Sequence, residues 1–188
     1  MKFRNLRADE IECRVQSVGE KVINVLLYKT ARTDANILDE EVKPENWSND
    51  FKIVDGVLYG AISIKTDGEW VTKWDAGTES NNEAEKGRAS DAFKRAGFKW
   101  GIGRNLYSAP FIFVPKGKCN VIELKDKDGN VIVDKKGKVK RVCYDKFHVK
   151  HIGYDEETGD INQLEIYNDK LKKVCYSLGE ESKEEIQK

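Results

Sequence analysis

Six basic residues, Lys86, Arg88, Lys94, Arg95, Lys99 and Arg104, share residues 86–114 with a single acid, Asp91. Side chains of this kind grip phosphates. Each neutralised phosphate releases counterions, so the binding is salt-dependent and indifferent to base sequence. The basic character continues downstream. Residues 86–114 carry net +5 and residues 115–150 net +6, against −2, −4 and −5 for residues 1–50, 51–85 and 151–188, inside a chain of formal charge zero. A basic block between acidic flanks is the footprint of a polyanion site.

Other chemistries find less support. Cys13, Cys119, Cys143 and Cys175 form no CxxC pair and read as free core thiols of a reducing compartment. His148 and His151, three apart on a strand, point to opposite faces and do not share a metal. There is no GxxxxGK[ST] phosphate loop and no GxSxG elbow, and Gly101-Ile102-Gly103 lacks the third glycine of a dinucleotide fingerprint. Asp75, Glu79, Glu83 and Glu85 are the carboxylates a Mg-dependent nuclease would use, but acids at a helix start also simply favour its dipole. The reading is a non-enzyme with no catalytic residue, metal or cofactor. At 188 residues, 39% hydrophobic and 35% charged, it is one soluble domain with a heavily charged surface. No apolar run approaches the ~20 residues of a membrane span, and MKFRNLRADE has no signal-peptide core. The expected location is the cytoplasm.

The basic residues need elements to hold them. Alternation over 11–18 and 21–28 predicts two strands, and Ala35, Leu38 and Val42 predict a helix over 32–42, stopped by Pro44, with Trp47 in the following loop. Residues 57–65 and 69–77 predict a hairpin about Asp67-Gly68, giving a meander of about four antiparallel strands. Ser80-Asn81-Asn82-Glu83 is a capping box for a helix over 81–97. Ala89, Ala92, Phe93 and Ala96 form its apolar arc, Arg88, Asp91, Lys94 and Arg95 the opposite one, and Gly97 and Gly101 its end. Beyond 119, Asp128-Gly129 and Lys136-Gly137 punctuate short strands. A hairpin turns at 155–160, KKVCYSL adds a last strand, and GEESKEEIQK is a disordered tail. The fold class is α+β: an antiparallel β-meander packed on a helix (β-β-β-α) with additional C-terminal β-hairpins. Residues 1–114 form the core, 115–178 a hairpin extension of the same domain, and 179–188 the tail.

The stretch WDAGTESNNEAEKGRASDAFKRAGFKWGIGRNLY, residues 74–107, resembles the core of the Rad fifty-two-type single-strand annealing proteins, in particular the phage Sak-type branch. Lys86 followed by Ser90-Asp91-Ala92-Phe93-Lys94-Arg95-Ala96 carries the pattern. The resemblance extends upstream through Ile11–Val18 with Arg14, through Asn36, Glu40 and Trp47, and through Gly56–Trp70. It implies ATP-independent binding of single-stranded DNA and annealing of complementary strands in recombination and double-strand break repair, by a homo-oligomeric ring. It implies that Lys94, Arg95, Arg14 and Lys86 contact phosphates. Charge alone adds Arg88, Lys99 and Arg104. A partnership with a single-strand-binding protein is a further expectation. The alternatives are a coating protein that binds without annealing, a metal nuclease, and a structural oligomer.

Overall fold

The structure is a computed structural model that describes residues 1–78 and 84–179, with 84–86 given by backbone alone. In chain order its elements are β1 (Glu12–Val18), β2 (Val22–Tyr28), α1 (Ala31–Val42), β3 (Trp47–Val54), β4 (Val57–Thr66), β5 (Glu69–Ala76) and α2 (Ala84–Trp100). There follow β6 (Ile112–Pro115), β7 (Ile122–Glu123), β8 (Arg141–Val142), β9 (Phe147–Tyr154), β10 (Ile161–Asn168) and β11 (Lys173–Leu178). The class is the expected α+β. The chain divides into two compact units, Met1–Leu6 with Lys29–Tyr107, and Arg7–Tyr28 with the residues from Ser108 onward.

The first unit is built on the meander β3-β4-β5, antiparallel throughout. Asp55-Gly56 and Asp67-Gly68 close its two hairpins, and all four residues have positive φ, 50° and 77°, then 52° and 89°. That is the turn geometry that matches strand twist. The meander has three strands rather than four, because the two strands expected first, β1 and β2, pair in the other sheet. Trp47 does not lie in a loop but begins β3, a strand with full register against β4. Every residue from Ser48 to Val54 is exposed, so β3 is held by its hydrogen-bond ladder and not by burial.

α2 lies on β4 and β5 because Gly60 of β4 and Gly77, just past the end of β5, let it approach closely. A Cβ on Gly60 would stand 2.9 Å from the Ala92 Cβ, and one on Gly77 would stand 2.3 Å from the Arg88 carbonyl oxygen. Ala92, Phe93 and Ala96 are buried, as the small-residue arc requires. The helix does not end at Gly97 but runs to Trp100 and stops at Gly101, whose φ is +100°. Gly97 serves packing instead: a Cβ there would meet Asp34 Oδ2 at 2.5 Å. The capping box at 80–83 lies outside the described residues. α1 begins at Thr30, whose hydroxyl accepts from the Thr33 N–H at 3.2 Å, and it buries Ile37, Leu38 and Val42.

The second unit is a six-stranded sheet in the order β11-β10-β9-β1-β2-β6. Ile23, Val25, Ile112, Val114, Leu164 and Ile166 are buried in it. The hairpin about 155–160 and the last strand are as expected. Between β7 and β8 the two expected turns are built alike. Asp126 accepts from the N–H groups of Asp128 and Asn130, and Asp134 from those of Lys136 and Lys138. All four cysteines are free. Burial pushes the Cys13 thiol up to about 12 and those of Cys119 and Cys175 up to about 11. Among the described residues no helix is long and apolar enough to cross a membrane. The tail from Glu180 lies outside the described residues.

Candidate nucleic-acid interface

Arg95 and Lys99, four residues apart on α2, project from one face of the helix. Both lean toward Asp75 of β5, Arg95 Nε at 3.5 Å and Lys99 Nζ at 3.8 Å. The Arg95 Nε makes no hydrogen bond among the described residues, so that contact is Coulombic rather than directed. The side chains of Arg95 and Lys99 stay 40% and 48% exposed, which leaves both open to a phosphate. Lys73, two residues before Asp75 on β5, shares its face by strand alternation. Its ammonium donates to the Lys99 carbonyl at 3.1 Å and lies 4.1 Å from the centroid of the Trp100 ring. The Trp100 indole in turn donates to the Ile62 carbonyl at 2.9 Å. Two cations thus flank one carboxylate, with Lys73 beside them from β5. The position of Arg95 and Lys99 in the last turns of the helix is favoured by its dipole.

Lys94 stands next to Arg95 but is turned about 100° around the helix, toward a second charge centre. There the Lys29 ammonium donates to both oxygens of Asp34, in a pair only 5% and 0% exposed. Lys29 Nζ also approaches the Lys94 carbonyl at 3.5 Å. Burial holds Lys29 below the usual lysine range and raises Asp34 to about 6, while the Lys94 charge pulls both downward. Gly97 and Gly103 leave room for this pair. A Cβ on Gly103 would meet Lys29 Cδ at 2.7 Å.

The remaining candidates are placed differently. Arg104 donates to the Phe98 carbonyl from Nε at 3.3 Å and Nη2 at 3.0 Å, and to the Lys99 carbonyl at 3.2 Å. Its guanidinium lies 5.3 Å from the Phe98 ring centroid. It caps the exposed carbonyls of the helix end. Arg88 is half-buried, at the point where Gly77 touches the helix backbone. Lys86 lies in the first turn of α2. Arg14 belongs to the second unit, exposed on β1 opposite Leu26. Asp91, the single acid of residues 86–114, accepts from the N–H and hydroxyl of Thr78, at 3.0 and 2.9 Å.

Of the four nuclease carboxylates, only the side chain of Asp75 is described. Asp75 is held between cations, Glu79 and Glu83 lie outside the described residues, and Glu85 is given by backbone alone. Among the described residues no group of three or more His, Cys, Asp or Glu could hold a metal ion. Sequence reasoning missed Lys73 and Lys29. The signal for Lys73 was present: in EWVTKWDA it shares a strand face with Asp75. Lys29 had none, because its partner comes from α1 and its cover from α2.

Residues 53–120 match the family model described as Rad52/22 family double-strand break repair protein. Over 88 residues the chain is 35% identical to the single-stranded DNA-binding protein DdrA of Deinococcus radiodurans. That match covers 46% of this chain and 42% of the relative, so the chain spans less than half of the relative's length. Residues 53–120 hold β4, β5, α2 and every basic residue of the interface on that helix, so the similarity to the Rad52/22 family of double-strand break repair proteins falls on the part of the chain that carries the candidate interface.

Proposed function

We propose that the chain binds single-stranded DNA and anneals complementary strands without ATP, in recombination and double-strand break repair. The gathering of Arg95 and Lys99 of α2 with Lys73 of β5, and of Lys94 on the adjoining helix face, within the stretch that the family match includes carries this reading. The name of the Deinococcus relative, a single-stranded DNA-binding protein, supports the ligand. Contacts of this kind grip phosphates and leave base edges free to find complements. Lys94 and Arg95 are the principal contacts, Lys99, Lys86, Arg88 and Arg14 add to them, and Arg104 acts through its cap on the helix end. The protein works as a homo-oligomer, a ring in the simplest closed form, so that the basic helices of successive subunits line one track. Its place of work is the cytoplasm.

Complementary labelled strands mixed with the protein, EDTA and no ATP test this directly. Accelerated duplex formation is the expected result. Binding without acceleration would identify a coating protein, and strand loss on adding Mg²⁺ a nuclease.

A further inference from the structure

The solvent-facing side of the six-stranded sheet carries large aromatic residues where a half-buried strand ordinarily carries polar ones. Along β6 the alternation is strict: Ile112 and Val114 are 1% and 0% exposed, whereas Phe113 is 54% exposed and Phe111, just before the strand, 79%. The two exposed rings are nearly parallel, 16° apart, with centroids 6.1 Å apart. That spacing is close to twice the ~3.4 Å step between stacked bases. Val25 pairs with Ile112, so the next residue, Leu26, flanks Phe111 on the outer face, and Leu26 pairs in turn with Arg14. Leu26 is itself 41% exposed.

The charge around this patch is the second observation. Arg14 lies across β2 from the rings, with no hydrogen-bond or ion-pair partner among the described residues. The acid two residues before it, Glu12, accepts a hydrogen bond from the Tyr28 hydroxyl. At the other end of the pair, the Lys116 N–H donates to the Lys21 carbonyl at 2.8 Å, which sets two exposed lysines just beyond Phe113. Exposed rings bracketed by cations suit a flexible polyanion that carries flat apolar groups.

We infer that this face is a stacking platform for single-stranded nucleic acid, in which Phe111 and Phe113 hold base faces and Arg14, Lys21 and Lys116 hold the flanking phosphates. The inference rests on the single-strand reading above and adds base contacts to it. Stacking occupies the face of a base and leaves its pairing edge open, so it is compatible with annealing.

The test compares a labelled oligothymidine with an abasic strand of equal length, each titrated with the wild-type protein and with Phe111→Leu/Phe113→Leu. Both residues are exposed, and leucine keeps apolar area while removing the ring. Binding of oligothymidine should weaken roughly tenfold or more, binding of the abasic strand should stay unchanged, and Phe111→Tyr/Phe113→Tyr should retain wild-type affinity. Equal affinity of wild type and leucine variant for oligothymidine would overturn the platform and leave the single-strand reading intact. So would equal loss on both strands, or a smaller particle in light scattering, which would assign the rings to a contact between copies of the chain. A wild-type protein that binds neither strand would overturn both.

Discussion

On α2, Arg95 and Lys99 share one carboxylate, Asp75, and Arg104 is bound to the helix end. On β1, Arg14 stands exposed beside Leu26 with no ion-pair partner among the described residues. The first arrangement gives up part of its net charge in return for position. The acid spaces the cations, and the orientation entropy of two long side chains is already spent before a phosphate arrives. The second keeps its full charge but depends on neighbours of another kind, rings and aliphatic groups. A polyanion held only by the first would respond mainly to salt, and one held also by the second would respond to the removal of its bases.

The foundation of the α2 side gives the largest expected effect. Lys29→Met leaves the buried Asp34 carboxyl without its partner, so that it either stays charged unpaired or must take up a proton, which should cost about 3–5 kcal/mol of stability. Lys29→Met with Asp34→Leu should recover most of that loss, because an apolar pair of similar volume removes the unpaired charge. Urea unfolding of the three proteins measures this, and a single variant as stable as the wild type would show that the pair does not anchor the helix.

Removing the contacts themselves should change binding rather than folding. Lys94→Ala with Arg95→Ala keeps a good helix former at both positions and should weaken single-strand binding about tenfold or more, with a shallower salt slope. Arg14→Ala should do less, since it removes one charge. Lys183→Ala with Lys188→Ala should do almost nothing. If all three sets weaken binding equally, diffuse charge and not a located surface holds the strand.

The smallest change sharpens the comparison most. Asp75→Asn frees Arg95 and Lys99 and raises the charge of the helix face by one. Half-exposed ion pairs of this kind contribute about 0–1 kcal/mol, so stability should hardly move. Affinity for single strands at low salt should rise a few-fold and the salt slope should steepen. A weaker affinity would mean that Asp75 matters more for the position of the two cations than for their net charge.

Most of the first unit was legible in the sequence because its signals are local. Asp67-Gly68 announced one hairpin, and the small-residue arc Ala89, Ala92, Phe93, Ala96 announced a helix lying close to a sheet. β3 escaped although Asp55-Gly56 repeats the same turn, because its residues from 48 to 54 are all exposed and leave no burial pattern to read. The assignment of β1 and β2 to the larger sheet was not legible at all. Both faces of that hairpin fit either partner, and the choice is made by β6 and β9, far along the chain. The basic residues of α2 were found by composition. Which of them cap, which pair and which stay open was decided by Asp75, Phe98 and Lys29, and contacts of that kind leave no trace in spacing.

The pairing of Glu12 with His148 has a kinetic side. The meander and α2 are made of contacts between near neighbours in the chain, which close quickly and at small entropic cost. The larger sheet is interrupted: its first two strands leave the ribosome early, and the strand that covers β1 is made only after the whole of the first unit has been synthesised. Throughout that interval the outer edge of the β1–β2 hairpin is a bare ladder of amide and carbonyl groups, able to recruit a foreign strand. The charged outer residues of β1, Glu12 and Arg14, stand on that edge strand, and charge of this kind discourages pairing with a stranger until β9 arrives.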